Sequence, residues 1–179
     1  MLELAIDLKR EDIKDAMTLS KDLGLRVTEV IAMTRAQVEK ALRTGVYTVR
    51  GEAKNGKHRD VPLSLSAELT MRRLMQQTPR GGKVFVKEGE KVHHVANRVQ
   101  QFINHHRDNI VTPEGELRRI DHRYGTPREL TMHGLRYNYV QDQFESELSK
   151  GLSDSDAAKK ITKEIGHNRT NVLKVYKGG

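Results

Sequence analysis

The chain contains no cysteine. It can therefore form neither a disulfide framework nor a thiolate metal site, which fits a protein of a reducing cytoplasm. Long hydrophobic runs are missing as well, since no stretch approaches the roughly 20 apolar residues that a membrane-spanning helix needs. The N-terminus also lacks a signal-peptide pattern. We therefore expect a cytoplasmic protein rather than a secreted or membrane-spanning one.

Positive charge, by contrast, is in excess. Lys and Arg number 32 against 24 Asp and Glu, which gives a net charge of +8 and a pI of about 9.7. This excess favours a polyanionic partner, most often nucleic acid. Hydrophobic residues make up only 36% of the chain, but they are regularly patterned and predict a folded protein. The 179 residues suffice for one sizeable domain.

Helical periodicity runs through most of the sequence. It predicts α-helices over residues 10–22, 28–42, 65–77, 92–109, 132–148, 153–165 and 170–176. Gly24 breaks the first helix, Ser66 is a candidate N-cap of the third, and Gly166 is a C′ residue after the sixth.

Extended segments interrupt the helices at a few places. Residues 46–52 and 59–63 flank Asn55-Gly56, the dipeptide that best suits a type I′ hairpin turn. Residues 83–86 (KVFV) predict a further short strand, and residues 110–129 predict a long basic surface loop. The predicted fold class is therefore mainly α with a small antiparallel β-sheet (α+β).

Several short stretches carry groups that can bind phosphate. Arg26 follows the glycine break at the mouth of a helix, where free N–H groups and the helix dipole favour anions. Lys54 immediately precedes the hairpin turn, and Lys57 is an equally good candidate on geometry alone. His133 and Arg136 lie one helical turn apart, so one helix face could offer a general acid or base and a bidentate phosphate ligand.

Two further candidates lie near the end of the chain. His167 follows Gly166 at an exposed corner, and Tyr176 comes nine residues later. Each candidate has an ordinary explanation when taken alone: a solvated arginine, a turn lysine, a chance His-x-x-Arg pair or a packing tyrosine. The paired histidines at 93–94 and 105–106 point to different helix faces, and no carboxylate recurs at ligand spacing. We therefore expect no metal site and no cofactor.

Taken in order, these features resemble the catalytic domain of the tyrosine recombinases, the phage-integrase family. The stretches that carry the resemblance are LGLRVTEVIAM, KNGKHRDVPL, HGLR, IGHNR and the terminal VY, and they span residues 23–176. The resemblance implies the tyrosine-recombinase catalytic-domain fold, of the DNA breaking-rejoining type. We expect residues 1–179 to form this single domain, without the N-terminal DNA-clamping domain and the C-terminal tail that such proteins usually carry.

The resemblance also implies a role for each candidate residue. Arg26 and Arg136 match the two arginines that clamp the scissile phosphate, and His133 matches the residue that handles the proton. Lys54 matches the hairpin lysine, because the family pattern places it five residues before the arginine that precedes VPL. That arginine is Arg59 in this sequence.

The nucleophile of the family is matched by Tyr176, and His167 matches an additional hydrogen-bond donor to the phosphate. Two departures from the family pattern concern the subfamily rather than the chemistry. Tyr137 stands where a second histidine commonly follows the His-x-x-Arg arginine, and the interval from Arg136 to His167 is long. Tyr137 and Tyr139 match no catalytic position.

The chemistry asked of these residues is consistent with their types. Two guanidinium groups and a histidine can stabilise the charge of an attacked phosphodiester without a metal. The expected activity is site-specific recombination or integration of DNA for a phage or mobile element, through a 3′-phosphotyrosine intermediate and without ATP. A type IB topoisomerase-like activity and a catalytically inert DNA-binding module are the alternatives.

The partner implied by this activity is double-stranded DNA carrying attachment sites, in a bacterial cytoplasm and on the nucleoid. The resemblance implies a homotetramer on paired sites, and we expect a monomer when the domain is isolated. Basic residues near the hairpin and in the long loop are predicted to contact backbone phosphates, although a solvated loop remains the alternative. These predicted DNA-binding residues are Lys57, Arg59, Arg118, Arg119, Arg123 and Arg128.

Overall fold

The structure is a computed structural model that describes residues 1–50, 58–117, 119–121 and 124–166. Helices make up most of this part of the chain, with two small antiparallel sheets. The helices are α1 (Leu2–Asp7), α2 (Glu11–Leu23), α3 (Val27–Ile31), α4 (Arg35–Thr44), α5 (Leu65–Gln77), α6 (Val92–His106), α7 (Pro113–Leu117), α8 (Met132–Ser149) and α9 (Asp154–Glu164). The strands are β1 (Val46–Val49), β2 (Arg59–Pro62), β3 (Ile120–Asp121) and β4 (Thr126–Pro127). The predicted fold class is thus confirmed.

Helix α2 is the centre of the hydrophobic core. It packs against α1, α3, α5, α6 and α8, and most of its side chains are buried. The helix ends at Gly24, which adopts the left-handed conformation with φ 58°. A Cβ on Gly24 would lie 2.4 Å from the Tyr139 ring of α8, so only glycine fits this close approach. The turn after Gly24 directs the chain into α3.

The hairpin of β1 and β2 follows α4. The two strands pair antiparallel, with Val46 opposite Pro62 and Val49 opposite Arg59. This pairing confirms the two extended segments that flank the predicted turn, whereas Asn55-Gly56 itself lies outside the described residues. Strand β2 also contacts α9, so the hairpin connects the first half of the chain to the last described helix.

Three local predictions were wrong. The single helix over 28–42 is two helices, because Thr34 adopts an extended conformation and caps α4 by accepting a hydrogen bond from the Gln37 backbone N–H. Helix α5 has Ser64 rather than Ser66 as its N-cap, since the Ser64 side chain accepts from the Ala67 N–H. In the segment 83–86, only Lys83 forms a β-bridge, and its partner is Thr34.

The predicted loop over 110–129 is more ordered than the sequence indicated. It contains the short helix α7 and the two-residue strands β3 and β4, which pair through Ile120 with Pro127 and Asp121 with Thr126. The predicted helix over 170–176 lies outside the described residues. Among the helices of the described part, none is long and apolar enough to cross a membrane.

Candidate active site

Arg26 lies at the junction between α2 and α3. It is the N-cap residue of α3, and Glu29, in the first turn, reaches back to it. The Arg26 backbone N–H donates to Glu29 Oε2 over 2.8 Å, and its guanidinium Nη1 donates to Glu29 Oε1 over 2.7 Å. A carboxylate in the first turn is favourable at a helix N-terminus. The same carboxylate therefore fixes both the backbone and the side chain of Arg26.

Glu29 is a fully buried carboxylate with two arginine partners. Besides Arg26, it accepts two hydrogen bonds from Arg59 of β2, from Nη1 at 3.0 Å and from Nη2 at 2.6 Å. Burial alone would raise the pKa of Glu29, but the hydrogen bonds and charge of Arg59, together with Arg26, lower it below its ordinary value. Glu29 is therefore ionised at neutral pH.

Arg136 lies behind this ion pair, in the interior of the protein. Its side chain is 0% exposed, and Nη1 lies 3.9 Å from Glu29 Oε2. Nη1 donates to the Gly24 carbonyl over 2.6 Å, and Nη2 donates to the Ile165 carbonyl. These carbonyls lie at the C-terminal ends of α2 and α9, where the helix dipole is negative and attracts a cation. Arg136 thus joins three helices at one point.

His133 lies one turn earlier on α8 but faces outward. The surrounding protein, followed by the positive charges of Arg136 and Arg26, lowers the pKa of His133 below its ordinary value. The ring is therefore neutral at pH 7 and can accept a proton. His133 and Arg136 do not share an exposed face as the sequence predicted, because Arg136 points into the core.

A cavity of about 520 Å³ opens between α3, α6 and the start of α8. Its lining contains two groups predicted from the sequence, Arg26 and His133. Helix α6 contributes the amides of Gln100 and Asn104, and none of the described residues that line the cavity is acidic. The lining residues are Arg26, Val27, Thr28, Gln100, Asn104, Thr131, Met132 and His133. A cavity with this lining suits a group that accepts hydrogen bonds and carries negative charge.

The remaining predicted catalytic residues are Lys54, His167 and Tyr176, and they lie outside the described residues, as do Lys57, Arg118 and Arg123. Gly166 is described, and its φ of 70° confirms the predicted C′ position after α9. The structure thus brings Arg26 and His133 to one cavity and places Arg136 directly behind it.

The described arginines that were predicted to contact DNA have partners within the protein. Arg59 is only 6% exposed and pairs with Glu29, so its placement does not fit a surface DNA contact. Arg119 donates from Nε to the Arg128 carbonyl over 3.0 Å. Arg128 forms an ion pair with Asp121 and donates to the Tyr137 hydroxyl over 2.9 Å.

The two tyrosines of α8 also have structural partners. Tyr139 is buried and donates from its hydroxyl to Glu164 Oε2 over 3.0 Å. Burial, and then the negative charge of Glu164, raise the pKa of Tyr139 far above its ordinary value. Tyr137 stacks edge-on against His133, with the ring centroids 5.3 Å apart. Tyr139 is thus unsuited to become a phenolate nucleophile.

Glu29 is the functional residue that sequence reasoning missed. Its signal is a glutamate three residues after the N-cap, at the position where a carboxylate reaches back to the start of the helix. Its second partner, Arg59, is 30 residues away in the sequence, so spacing could not have revealed the ion pair. Among the described residues, no group of three or more His, Cys, Asp or Glu side chains that could hold a metal ion is found.

The structure is thus a helical domain in which a buried arginine–carboxylate cluster lies next to a cavity lined by Arg26 and His133. Residues 5–177 match the phage integrase family, and the chain therefore belongs to that family. A search of curated proteins gave no match.

Solved structures with this fold include the integrase of the transposon Tn1549 in complex with a circular intermediate DNA. It is 14% identical, with a TM-score of 0.64, and the match covers 98% of this chain and 57% of that one. A second structure of that integrase, with transposon right end DNA, is 14% identical with a TM-score of 0.63, covering 99% of this chain and 58% of that one. The XerA recombinase is 15% identical with a TM-score of 0.60, covering 98% and 54%. The chain thus spans little more than half the length of each of these solved chains.

Proposed function

We propose that this chain is the catalytic domain of a site-specific DNA recombinase or integrase of a phage or mobile element. The observation that carries the proposal is the cavity at which Arg26 and the neutral His133 meet. Arg136 is held directly behind it by two helix-end carbonyls. Family membership and the structural similarity to a DNA-bound transposon integrase add support.

The proposed reaction is a transfer of a DNA phosphodiester to tyrosine. The Tyr176 hydroxyl attacks the scissile phosphorus while His133 takes the hydroxyl proton, so that a phosphorus–oxygen bond to tyrosine forms. The bond to the 5′ oxygen breaks, and Lys54 gives its proton to that leaving oxygen. The products are a 3′-phosphotyrosine and a free 5′-hydroxyl. Attack by another 5′-hydroxyl reverses the step, so rejoining requires no ATP.

The electrostatic requirement of this reaction is met by arginine rather than by a metal. An attacked phosphodiester gains negative charge on its non-bridging oxygens, and preorganised guanidinium groups stabilise that charge. Arg26 is preorganised by Glu29. His167 is proposed to add a further hydrogen bond to the same phosphate.

The DNA substrate is proposed to be duplex attachment sites brought together by a homotetramer. The net charge of +8 favours binding to a polyanion. Gln100 and Asn104 line the cavity beside Arg26, where their amides can donate to phosphate oxygens or base edges. Arg119 and Arg128, with Lys57, Arg118 and Arg123, are proposed to contact the flanking backbone.

A covalent-capture assay tests the proposal. Nicked duplexes from the DNA that flanks the gene are incubated with the protein in the presence of a metal chelator and then separated on a denaturing gel. We expect an adduct that survives denaturant and disappears in Tyr176→Phe, while DNA affinity stays nearly unchanged. Tyr124→Phe, a change at an exposed tyrosine, is the matched control and should form the adduct at the wild-type rate.

Three other results would contradict the proposal. Equal adduct yields from wild type and Tyr176→Phe would remove the assigned nucleophile. Salt-sensitive DNA binding without an adduct would favour a DNA-binding module. Relaxation of supercoiled DNA without exchange between two duplexes would instead favour the topoisomerase-like activity.

A further inference from the structure

Arg59 is an almost completely enclosed ion-pair partner of the buried carboxylate of Glu29. Its side chain is 3% exposed, and its Nη2 lies 2.6 Å from Glu29 Oε2. Nη1 donates to the other oxygen of the same carboxylate over 3.0 Å. This two-point contact is the geometry in which a guanidinium binds a carboxylate most strongly. Arg59 therefore binds Glu29 through both terminal nitrogens.

The charges around Glu29 do not cancel. Three guanidinium groups, those of Arg26, Arg59 and Arg136, surround one carboxylate within 3.9 Å. The cluster thus carries an excess of two positive charges close to the cavity that Arg26 lines. A phosphodiester carries one negative charge, and its transition state for attack carries more. The two excess positive charges of the cluster match the negative charge of such a ligand only while the charge of Arg59 offsets that of Glu29.

Without Arg59, the Glu29 carboxylate would attract the guanidinium groups of Arg26 and Arg136 more strongly. Its carboxylate already accepts from Arg26 at 2.7 Å, and Arg136 Nη1 is close enough to move toward it. Arg26 would then be engaged more strongly by an internal anion and less by a bound phosphate, and more of the charge of Arg136 would be offset by Glu29. Arg59 contributes more than Arg26 does to the lowered pKa of Glu29. This agrees with Arg59 being the main partner that offsets the charge of Glu29.

A second contact places Arg59 under the corner that follows α9. A Cβ on Gly166 would lie 3.2 Å from Arg59 Cδ and 3.5 Å from Arg59 Nη1. The φ of 70° at Gly166 also favours glycine. Arg59 thus packs directly against the backbone that precedes His167 in the sequence.

We propose that Arg59 is a positioning residue of the phosphate site, which offsets the charge of Glu29 so that Arg26 remains available to the scissile phosphate and the positive charge of Arg136 behind it is not cancelled. It acts through Glu29 and does not touch DNA. The inference rests on the proposed strand-transfer function, and it assigns to Arg59 a role different from the DNA contact that the sequence predicted.

Three variants separate this role from simple packing. Arg59→Met fills similar volume without charge, and Arg59→Lys keeps the charge but loses the two-point contact. The double variant Arg59→Met/Glu29→Gln removes both charges together. The rate of covalent adduct formation is measured for each under single-turnover conditions, and circular dichroism confirms that each is folded.

We expect Arg59→Met to slow adduct formation by about 100-fold, the order of magnitude for losing one preorganised electrostatic group. Arg59→Lys should lose only about tenfold, because the charge that offsets Glu29 is retained. The double variant should recover about tenfold over Arg59→Met, because the unbalanced carboxylate is gone. Arg72→Met, at an exposed arginine on α5 that pairs with Glu68, is the matched control and should stay within twofold of wild type.

The results distinguish failure of this inference from failure of the proposed function. No adduct from wild-type protein would overturn the function itself. If the wild-type protein forms the adduct and Arg59→Met matches its rate, the role of Arg59 is wrong while the function stands. A double variant as slow as Arg59→Met, or slower, would show that Arg59 acts by packing alone. Arg59→Met could also be unfolded while the double variant is folded. If that folded double variant were inactive as well, the inference would be overturned in the same way.

Discussion

Two arginine-rich regions of this molecule have different surroundings in the structure. The cluster of Arg26, Arg59 and Arg136 surrounds the buried Glu29 in the core, next to the cavity. The segment 110–129 instead pairs its described arginines with close sequence neighbours, as Arg128 does with Asp121. Charges in the core are poorly screened, whereas those near the surface are weakened by water and salt. The number of arginines in a segment therefore says less about its chemistry than the burial and the partners of each one.

The largest expected difference between the two regions is in stability. Glu29→Ala leaves buried arginine charge without its carboxylate, and breaking such a buried pair costs about 3–5 kcal/mol. Asp121→Ala in the other region removes a partner of the half-exposed Arg128 and should cost about 1 kcal/mol. Urea denaturation followed by circular dichroism measures both changes. Similar losses for the two variants would contradict the distinction between the regions.

The glycines of the two regions give a second, smaller contrast. Gly24→Ala places a Cβ 2.4 Å from the Tyr139 ring in a left-handed conformation, and we expect it to lower the free energy of unfolding by about 3 kcal/mol. Gly125→Ala has the same sign of φ but nothing within 4 Å, so only backbone strain of about 1 kcal/mol remains. Thermal melts of the two variants measure which substitution lowers the melting temperature more. Equal melting temperatures would show that the Tyr139 ring moves aside freely.

The pH dependence of the reaction should reflect the charged cluster rather than the loop. The surrounding protein and the charges of Arg136 and Arg26 lower the pKa of His133 from its ordinary 6.5. Because the proposed role of His133 requires the neutral ring, adduct formation should rise as pH increases through that lowered pKa and be level by about pH 7. Single-turnover rates from about pH 5 to about pH 8 measure this. A rate still rising steeply above about pH 7 would mean that His133 is not the group that takes the proton.

The smallest expected effect belongs to the loop. Arg119→Gln should weaken DNA binding by a few-fold for every sequence and reduce the salt slope by about one unit, as the loss of one phosphate contact does. Fluorescence anisotropy at several salt concentrations measures both quantities. The rate of adduct formation at saturating DNA should be unchanged. A loss of rate without a loss of affinity would place Arg119 in the chemistry and remove the contrast between the regions.

Much of the fold could be predicted from local patterns. Helices α2, α5, α8 and α9 follow apolar periodicity and begin or end at residues such as Gly24 and Ser153. The break at Thr34 was missed because the apolar residues continue through it. The capping interaction between Thr34 and Gln37 starts a new helix at this point. The short helix α1 was missed because its six residues are too few to show a period.

The candidate site divides in a similar way. Arg26, His133 and Arg136 could be singled out because their order along the chain matches a family, and the structure brings Arg26 and His133 to one cavity. The depth at which Arg136 lies, and the ion pair of Glu29 with Arg59, depend on packing between elements distant in sequence. Residue type and spacing do not encode such contacts.

In the proposed reaction, Tyr176 forms a covalent bond to a DNA phosphate beside the cluster of Arg26, Arg59 and Arg136. The most direct measurement is mass spectrometry of the protease-digested adduct formed on a nicked duplex in the presence of a metal chelator. We expect a nucleotide attached to the peptide that contains Tyr176. A nucleotide attached to a peptide containing Tyr137 or Tyr139 instead would contradict it.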